Sequence, residues 1–263
     1  MSELYIETHG RGDPHIVLIH GWAMHGGVFA PLTEALAERA TVHVVDLPGH
    51  GHSRDSHLPL TVSACAGAIA EATPPAIWLG WSLGGLIALA GALEHSRHVQ
   101  ALAMVCASPC FVRQPDWKYG MAPEVFANFG SELDTDYHGT LDRFLALEAM
   151  GSEHAREEMR RLRADLFARG EPDKRVLREG LDVLDHTDLR GRLSALAQPS
   201  AWIAGARDRL IPWQAMQWGA QTSGGTFTRI DHAGHAPFIG FVDQVIAALD
   251  PLLELADSGR KQA

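Results

Sequence analysis

No apolar run in the 263-residue chain reaches the length of a membrane span, and residues 1 to 15 are polar, without the hydrophobic core of a signal peptide. A cytoplasmic location and no membrane partner are therefore expected. Cysteine is scarce. Cys65, Cys106 and Cys110 are an odd number without metal-ligand spacing, and Cys65 and Cys106 lie in apolar surroundings, so reduced structural thiols are expected rather than a disulfide framework. Positive charge is also in deficit: the net charge of −10 argues against general nucleic-acid binding, because phosphate contacts need a basic surface. Internal repeats and low-complexity segments are missing too, which excludes solenoids and fibrous arrays. What remains, 46% apolar and 21% charged residues, describes one ordinary globular α/β domain, or one carrying an insertion.

The chain is organised around Gly80-Trp81-Ser82-Leu83-Gly84. The apolar run Ala76-Ile77-Trp78-Leu79 before it and Leu86-Ile87-Ala88-Leu89-Ala90 after it predict a strand, a tight turn and a helix. Such a turn holds its central residue in a strained, left-handed conformation, and the flanking glycines remove side chains that would collide. Ser82 is thereby presented as a nucleophile, with the Leu83 amide at the helix start placed to stabilise an oxyanion.

Strands are expected at Leu4–Thr8, His15–His20, Thr41–Asp46, Ala101–Cys106, Ala201–Gly205 and Gly225–Ile230, with helical stretches over 59–72 and from Phe241 to Leu249 or on past Pro251 to Leu255. Strands alternating with helices predict a mostly parallel sheet whose active site lies outside the carboxyl ends of the strands. Between Phe111 and Asp188 the strand signals vanish, and arginines and carboxylates crowd between aromatic and methionine residues. The resulting division is a core of residues 1–110 and 189–257, a helical lid insertion over 111–188 and a frayed tail over 258–263.

A serine hydroxyl needs a base to take its proton and a third group to fix that base's tautomer. In the hydrolase order of Ser, then acid, then His, the candidates are Asp208, just after one strand, and His235, just after the last. Asp231 and His232 are rivals nearer their strand end. The loop after His15–His20 offers the Trp22 amide as the second oxyanion donor. His50-Gly51-His52 with Asp55 approaches a binuclear-metal signature, but the aspartate is one position late and the next histidine is absent, so neither metal nor cofactor is expected.

The pieces His20-Gly21-Trp22, Asp46 to Ser53, the Ser82 turn, Gly205 to Pro212 and His232 to Phe238 resemble the α/β-hydrolase superfamily across almost the whole core. Within it, Arg143-Phe144-Leu145-Ala146-Leu147-Glu148-Ala149-Met150-Gly151 and the stretch from Leu181 to Arg190 are similar to the lid of the pimeloyl-acyl-carrier-protein methyl ester esterase family of biotin synthesis. That resemblance implies a serine carboxylesterase that removes methanol from a pimeloyl chain still attached to its acyl carrier protein. It further implies that Trp22, Ser82, Leu83, Phe144, Leu145, Ala146, Leu147, Glu148 and His235 contact substrate, and that Arg143, Arg156 and Arg160 dock the carrier.

Charge distribution agrees with an acidic carrier. Between Arg143 and Arg178 nine Lys or Arg face seven Asp or Glu, a net of +2, which leaves −12 on the rest of the chain. A helix over 153–168 would put Met159, Leu162 and Leu166 on one face and Arg156, Arg160 and Arg163 on another. A solvated mixed-charge helix, with Glu157 pairing Arg161, accounts for that pattern equally well. Phe126, Phe129, Phe144 and Met150 are candidates for an acyl channel as much as for core. Two further readings stay open on the residues alone: a broad-range short-chain esterase with no carrier requirement, and a non-catalytic carrier-binding protein on the same fold. A monomer is expected.

Overall fold

The computed structural model describes residues 4–260, with side chains through residue 255. Seven strands form one sheet: β1 (Ile6–Gly10), β2 (His15–Ile19), β3 (Thr41–Val45), β4 (Ala76–Trp81), β5 (Val99–Val105), β6 (Ser200–Gly205) and β7 (Thr226–Ile230). The spatial order is β1-β3-β2-β4-β5-β6-β7, with β1 antiparallel to β3 and every other pair parallel. Strands β3, β4 and β6 are buried at every position. Their unbroken apolar runs are what a parallel sheet covered by helices on both faces requires.

The flanking helices are α1 (Ala30–Ala37), α2 (Val62–Ala72), α3 (Leu83–Glu94), then α4 (Glu124–Thr135), α5 (Tyr137–Ala149), α6 (Ala155–Leu166) and α7 (Lys174–His186), and finally α8 (Trp213–Ser223), the short α9 (Pro237–Gly240) and α10 (Val242–Arg260). Helix α3 is buried from Leu83 to Ala92 because it crosses the middle of the sheet, so it lacks the one-sided apolar pattern of a surface helix. Helices α4 to α7 fill the expected lid segment. Of the expected tail, residues 258–260 continue α10 and residues 261–263 lie outside the described residues.

Local chemistry starts and stops these elements. Thr61 accepts from the Ala64 amide at the start of α2, Asp136 from Gly139 at α5 and Asp173 from Arg175 at α7. Helix α8 ends on Gly224 in the left-handed conformation. On α6, Leu162 and Leu166 are buried and Arg156, Arg160 and Arg163 are exposed, the division that the spacing predicts. Glu158 is buried with them, which the spacing does not predict.

The lid is joined to the core by polar contacts at several points. The Trp22 indole Nε1–H donates to the Leu177 carbonyl at 2.8 Å, and the Asp173 amide donates to the Gly49 carbonyl at 3.0 Å. Arg169 reaches Asp46 at 3.1 Å and Glu7 at 2.7 Å. Asp46 has no exposed side-chain surface. Burial raises its affinity for a proton, but His20, the amides of His52 and Gly26 and the Arg169 guanidinium outweigh this and hold the carboxyl below its ordinary range.

Candidate active site

Strand β4 delivers the chain to Ser82, and α3 begins at the next residue. Ser82 has φ 53° and ψ −121°, the strained conformation expected of the central residue of the turn. Close approach explains the glycines. A Cβ on Gly84 would lie 2.1 Å from the Ile19 carbonyl oxygen, and one on Gly80 would lie 2.2 Å from that of Gly84. The loop after β2 passes directly beside the serine, since a Cβ on Gly21 would be 3.1 Å from the Ser82 Cβ. Trp22 follows in that loop, so its backbone and that of Leu83 border the serine from two sides. Leu83 opens α3, where the first amides have no intrahelical acceptor.

Asp208 and His235 are brought together by the loops after β6 and β7. His235 Nδ1 and Asp208 Oδ2 are 2.8 Å apart, and their side chains are 0% and 1% exposed. The other oxygen, Oδ1, accepts from the Leu210 and Ile211 amides at 2.8 and 3.0 Å, which fixes the carboxylate plane. The Trp81 indole donates to the His235 carbonyl at 2.8 Å. His235 Nε2 is left buried and without a hydrogen-bond partner, free to act as acceptor. The rivals lie elsewhere: Asp231 is exposed and pairs with Arg229 at 3.2 Å, and His232 is exposed beside Glu153 at 3.4 Å and Arg207.

Lid residues close over this centre. Phe144 packs edge-on to Trp22 with ring centroids 4.6 Å apart, and Phe129 completes the cluster at 5.5 Å from Phe144. Helix α7 approaches so closely at Gly180 that a Cβ there would lie 2.7 Å from Trp22 Cδ1. Ser82 is only 2% exposed. Along α5, helical geometry buries Phe144, Leu145 and Glu148 while Leu147 is half-buried, Ala146 is exposed, and Met150 beyond it is 51% exposed. Phe126 is buried on α4.

Glu148 is the unexpected member. Its carbonyl accepts from the His235 amide at 3.3 Å, and both of its carboxyl oxygens are buried without partners. Burial, and then the Asp208 charge, push its carboxyl well above the usual range. Cys106, expected only as a structural thiol, lies against the same pair: its sulfur, an Asp208 oxygen and a His235 nitrogen lie within 4.8 Å of one another. The available signal was positional, because Cys106 ends the expected strand before the lid and strand ends surround the site.

The arginines of the lid differ in their engagement. Arg143 is held by Glu132 at 2.7 Å and Asp136 at 3.0 Å, and Arg163 by Asp142 at 2.7 Å. Arg161 faces Asp165 at 3.7 Å rather than Glu157. Arg156 and Arg160 are exposed and form no ion pair among the described residues. They project from α6 as unneutralised charges.

Comparison with known proteins agrees with this geometry. The profile of the α/β hydrolase fold family matches residues 14–241. The pimeloyl-[acyl-carrier protein] methyl ester esterase of Stenotrophomonas maltophilia (strain R551-3) is 55% identical over 261 residues, 98% of this chain and 100% of the relative. The protein of the same name from Xanthomonas campestris pv. campestris (strain B100) is 53% identical over 247 residues, 94% and 97% of the two chains. Among solved structures, a hydrolase from Oleispira antarctica superposes with a TM-score of 0.85 at 21% identity, covering 96% of this chain and 95% of its own. An esterase from Exiguobacterium antarcticum gives 0.83 at 22%, covering 95% of each. At those identities the structures speak for the fold, whereas the near full-length relatives speak for the family. The chain belongs to the α/β hydrolases and, within them, to the pimeloyl-[acyl-carrier protein] methyl ester esterase family.

Proposed function

We propose that the protein is the serine carboxylesterase that hydrolyses the methyl ester of pimeloyl-acyl-carrier-protein to pimeloyl-acyl-carrier-protein and methanol in biotin synthesis. The observation that carries the reading is the buried 2.8 Å contact between His235 Nδ1 and Asp208 Oδ2, in a chain that carries Ser82 at a strained turn. Identity of 53–55% over nearly the whole length to esterases of that name supports the substrate.

In this mechanism Ser82 Oγ attacks the ester carbonyl as His235 Nε2 takes its proton. Asp208 holds the imidazole in the tautomer with Nδ1 protonated and stabilises the imidazolium that forms. The amides of Trp22 and Leu83 bind the tetrahedral oxyanion. His235 then returns the proton to the departing methanol, leaving an acyl-serine that water hydrolyses by the same sequence. No metal or cofactor enters. The Trp22, Phe129 and Phe144 cluster supplies apolar wall for the pimeloyl methylenes, with the stretch from Phe144 to Glu148 as lid-side contact.

The carrier docks on the lid through Arg143, Arg156 and Arg160, and the enzyme works as a cytoplasmic monomer. Exposure of Arg156 and Arg160 without acidic partners supports the docking assignment, since like charges on one helix face are relieved by an anionic partner. The deciding experiment compares kcat/KM on pimeloyl-acyl-carrier-protein methyl ester and on dimethyl pimelate, for the wild type and for Arg156→Glu with Arg160→Glu. A carrier preference that collapses in the double variant supports the assignment. Equal rates on both substrates, unmoved by charge reversal, would instead make the protein a general short-chain esterase.

A further inference from the structure

Behind the Asp208–His235 pair, one sulfur touches both loops that carry it. Cys106 Sγ accepts from the Gly205 amide at 3.4 Å and approaches the Gly234 carbonyl oxygen at 3.7 Å. A thiol, a carboxylate and an imidazole, the donor set of many zinc sites, thereby fall within 4.8 Å of one another in the interior. In a tetrahedral site with bonds of about 2.0–2.3 Å the ligand atoms stand about 3.3–3.8 Å apart, so the sulfur need draw in by at most about 1 Å while Nδ1 and Oδ2, 2.8 Å apart, separate by about 0.5 Å.

The surroundings favour a cation. Both carboxyl oxygens of Glu148 and one of Glu158 are buried without partners, and among the described residues no Lys or Arg forms an ion pair with Asp208, Glu148 or Glu158. Burial raises both glutamate carboxyls, so negative charge there is costly without a cation beside it. A divalent ion bound to one thiolate, one carboxylate and a neutral imidazole gives a cluster with no net charge, which is the arrangement cheapest to bury.

We propose that Cys106 Sγ, Asp208 Oδ2 and His235 Nδ1 form an inhibitory site for a thiophilic divalent cation of the Zn²⁺ or Cd²⁺ kind, which switches the esterase off by changing the tautomer of His235. The inference rests on the triad assigned above. The ion takes the lone pair of Nδ1, so the proton that Nδ1 donates to Asp208 moves to Nε2. The Cys106 thiol gives its proton to solvent as the metal–sulfur bond forms, releasing one proton per ion. Nε2 then carries hydrogen and has no lone pair for the proton of Ser82. Oδ1 of Asp208 keeps its two backbone amides throughout.

The test uses the full chain with Cys65→Ala and Cys110→Ala, which leaves Cys106 as the one thiol. It is titrated with Cd²⁺ while the ultraviolet thiolate-to-cadmium charge-transfer band, proton release and hydrolysis of 4-nitrophenyl acetate are followed. Expected are one ion bound, one proton released and loss of activity, all saturating together. Adding Cys106→Ala should abolish the band and raise the half-inhibitory concentration roughly 100-fold, measured against that variant's own metal-free rate. Cys106→Ser, closer in size, should behave likewise because its hydroxyl is a poor ligand for a soft ion. Inhibition that survives both substitutions, or binding without the band, overturns the proposal. Failure of the metal-free chain to hydrolyse the ester would sink the triad reading instead, while the band and the proton count still decide the metal site.

Discussion

The Trp22 indole, on the loop proposed to supply an oxyanion donor, donates its hydrogen across 155 positions of sequence to the Leu177 carbonyl on the lid helix α7. One hydrogen bond thus couples the position of the lid to the loop beside Ser82. Gly180, one turn further along α7, lets the helix lie against that indole. Gly180→Ala tests the coupling. Alanine favours the helix by about 1 kcal/mol, whereas its Cβ, 2.7 Å from Trp22 Cδ1, overpacks at a cost of about 1–3 kcal/mol. Stability should therefore change little, but kcat/KM should fall by about tenfold or more as the Trp22 amide is displaced. A variant with wild-type kcat/KM and unchanged melting would separate the lid from the oxyanion loop.

Ser82→Ala is expected to abolish turnover and leave the fold intact, read by circular dichroism and by loss of fluorophosphonate labelling. Asp208→Asn should lower kcat by about 10⁴-fold, as in serine proteases, because the amide stabilises the wrong imidazole tautomer. Near-normal activity in Asp208→Asn would transfer the third role to another group.

Arg169 is the guanidinium partner of buried Asp46, so Arg169→Met should destabilise the protein by about 3 kcal/mol, the low end for a broken buried pair because two backbone amides still bind the carboxylate. The pH dependence fixes the cause. A carboxyl whose pKa is lowered by folding contributes stability above its unfolded value and loses it as pH falls through the lowered one. Without Arg169 the folded value rises, so acid unfolding in urea should begin at higher pH than in the wild type. A uniform loss at every pH would instead mean that Arg169 acts through packing.

Glu148 carries the opposite sign. Its folded pKa is raised, so the unfolded chain releases this proton from about pH 4.5 upward while the folded chain retains it, and stability declines with rising pH until the folded value is reached. Glu148→Gln removes that decline without changing shape. Chemical denaturation at pH 5 and pH 8 should show a variant that gains on the wild type as pH increases. An equal difference at both values would mean that the carboxyl is paired in solution.

His20 and His50 titrate against folding in acid. Burial lowers His20 to about 3 and His50 to about 4, each stays neutral in the fold, and the unfolded chain takes up protons below about pH 6.5. Between pH 6.5 and 4 each should cost about 1.4 kcal/mol of stability per pH unit. His50→Gln should flatten that limb in a denaturation series, and an unchanged slope would assign the acid loss to carboxylates.

The mostly parallel sheet was legible because buried parallel strands are continuous apolar runs, as at Thr41–Val45 and Ala76–Trp81, whereas the spatial order of its strands came from the structure alone. Asp208 and His235 were legible as candidates from their places after β6 and β7. The sequence also carried the helical character of the 111–188 segment, through its change of composition, and the outward arginines of α6, through helical spacing. Only the tertiary structure shows Asp208, rather than Asp231, at 2.8 Å from His235, a contact between residues 27 positions apart. It alone showed Glu148 and Glu158 as buried acids, Arg169 against Asp46, and Cys106 behind the triad. Local pattern records which face of a helix is apolar. The charges that meet at a loop end are set by where strands distant in the chain come side by side, and no local period encodes that.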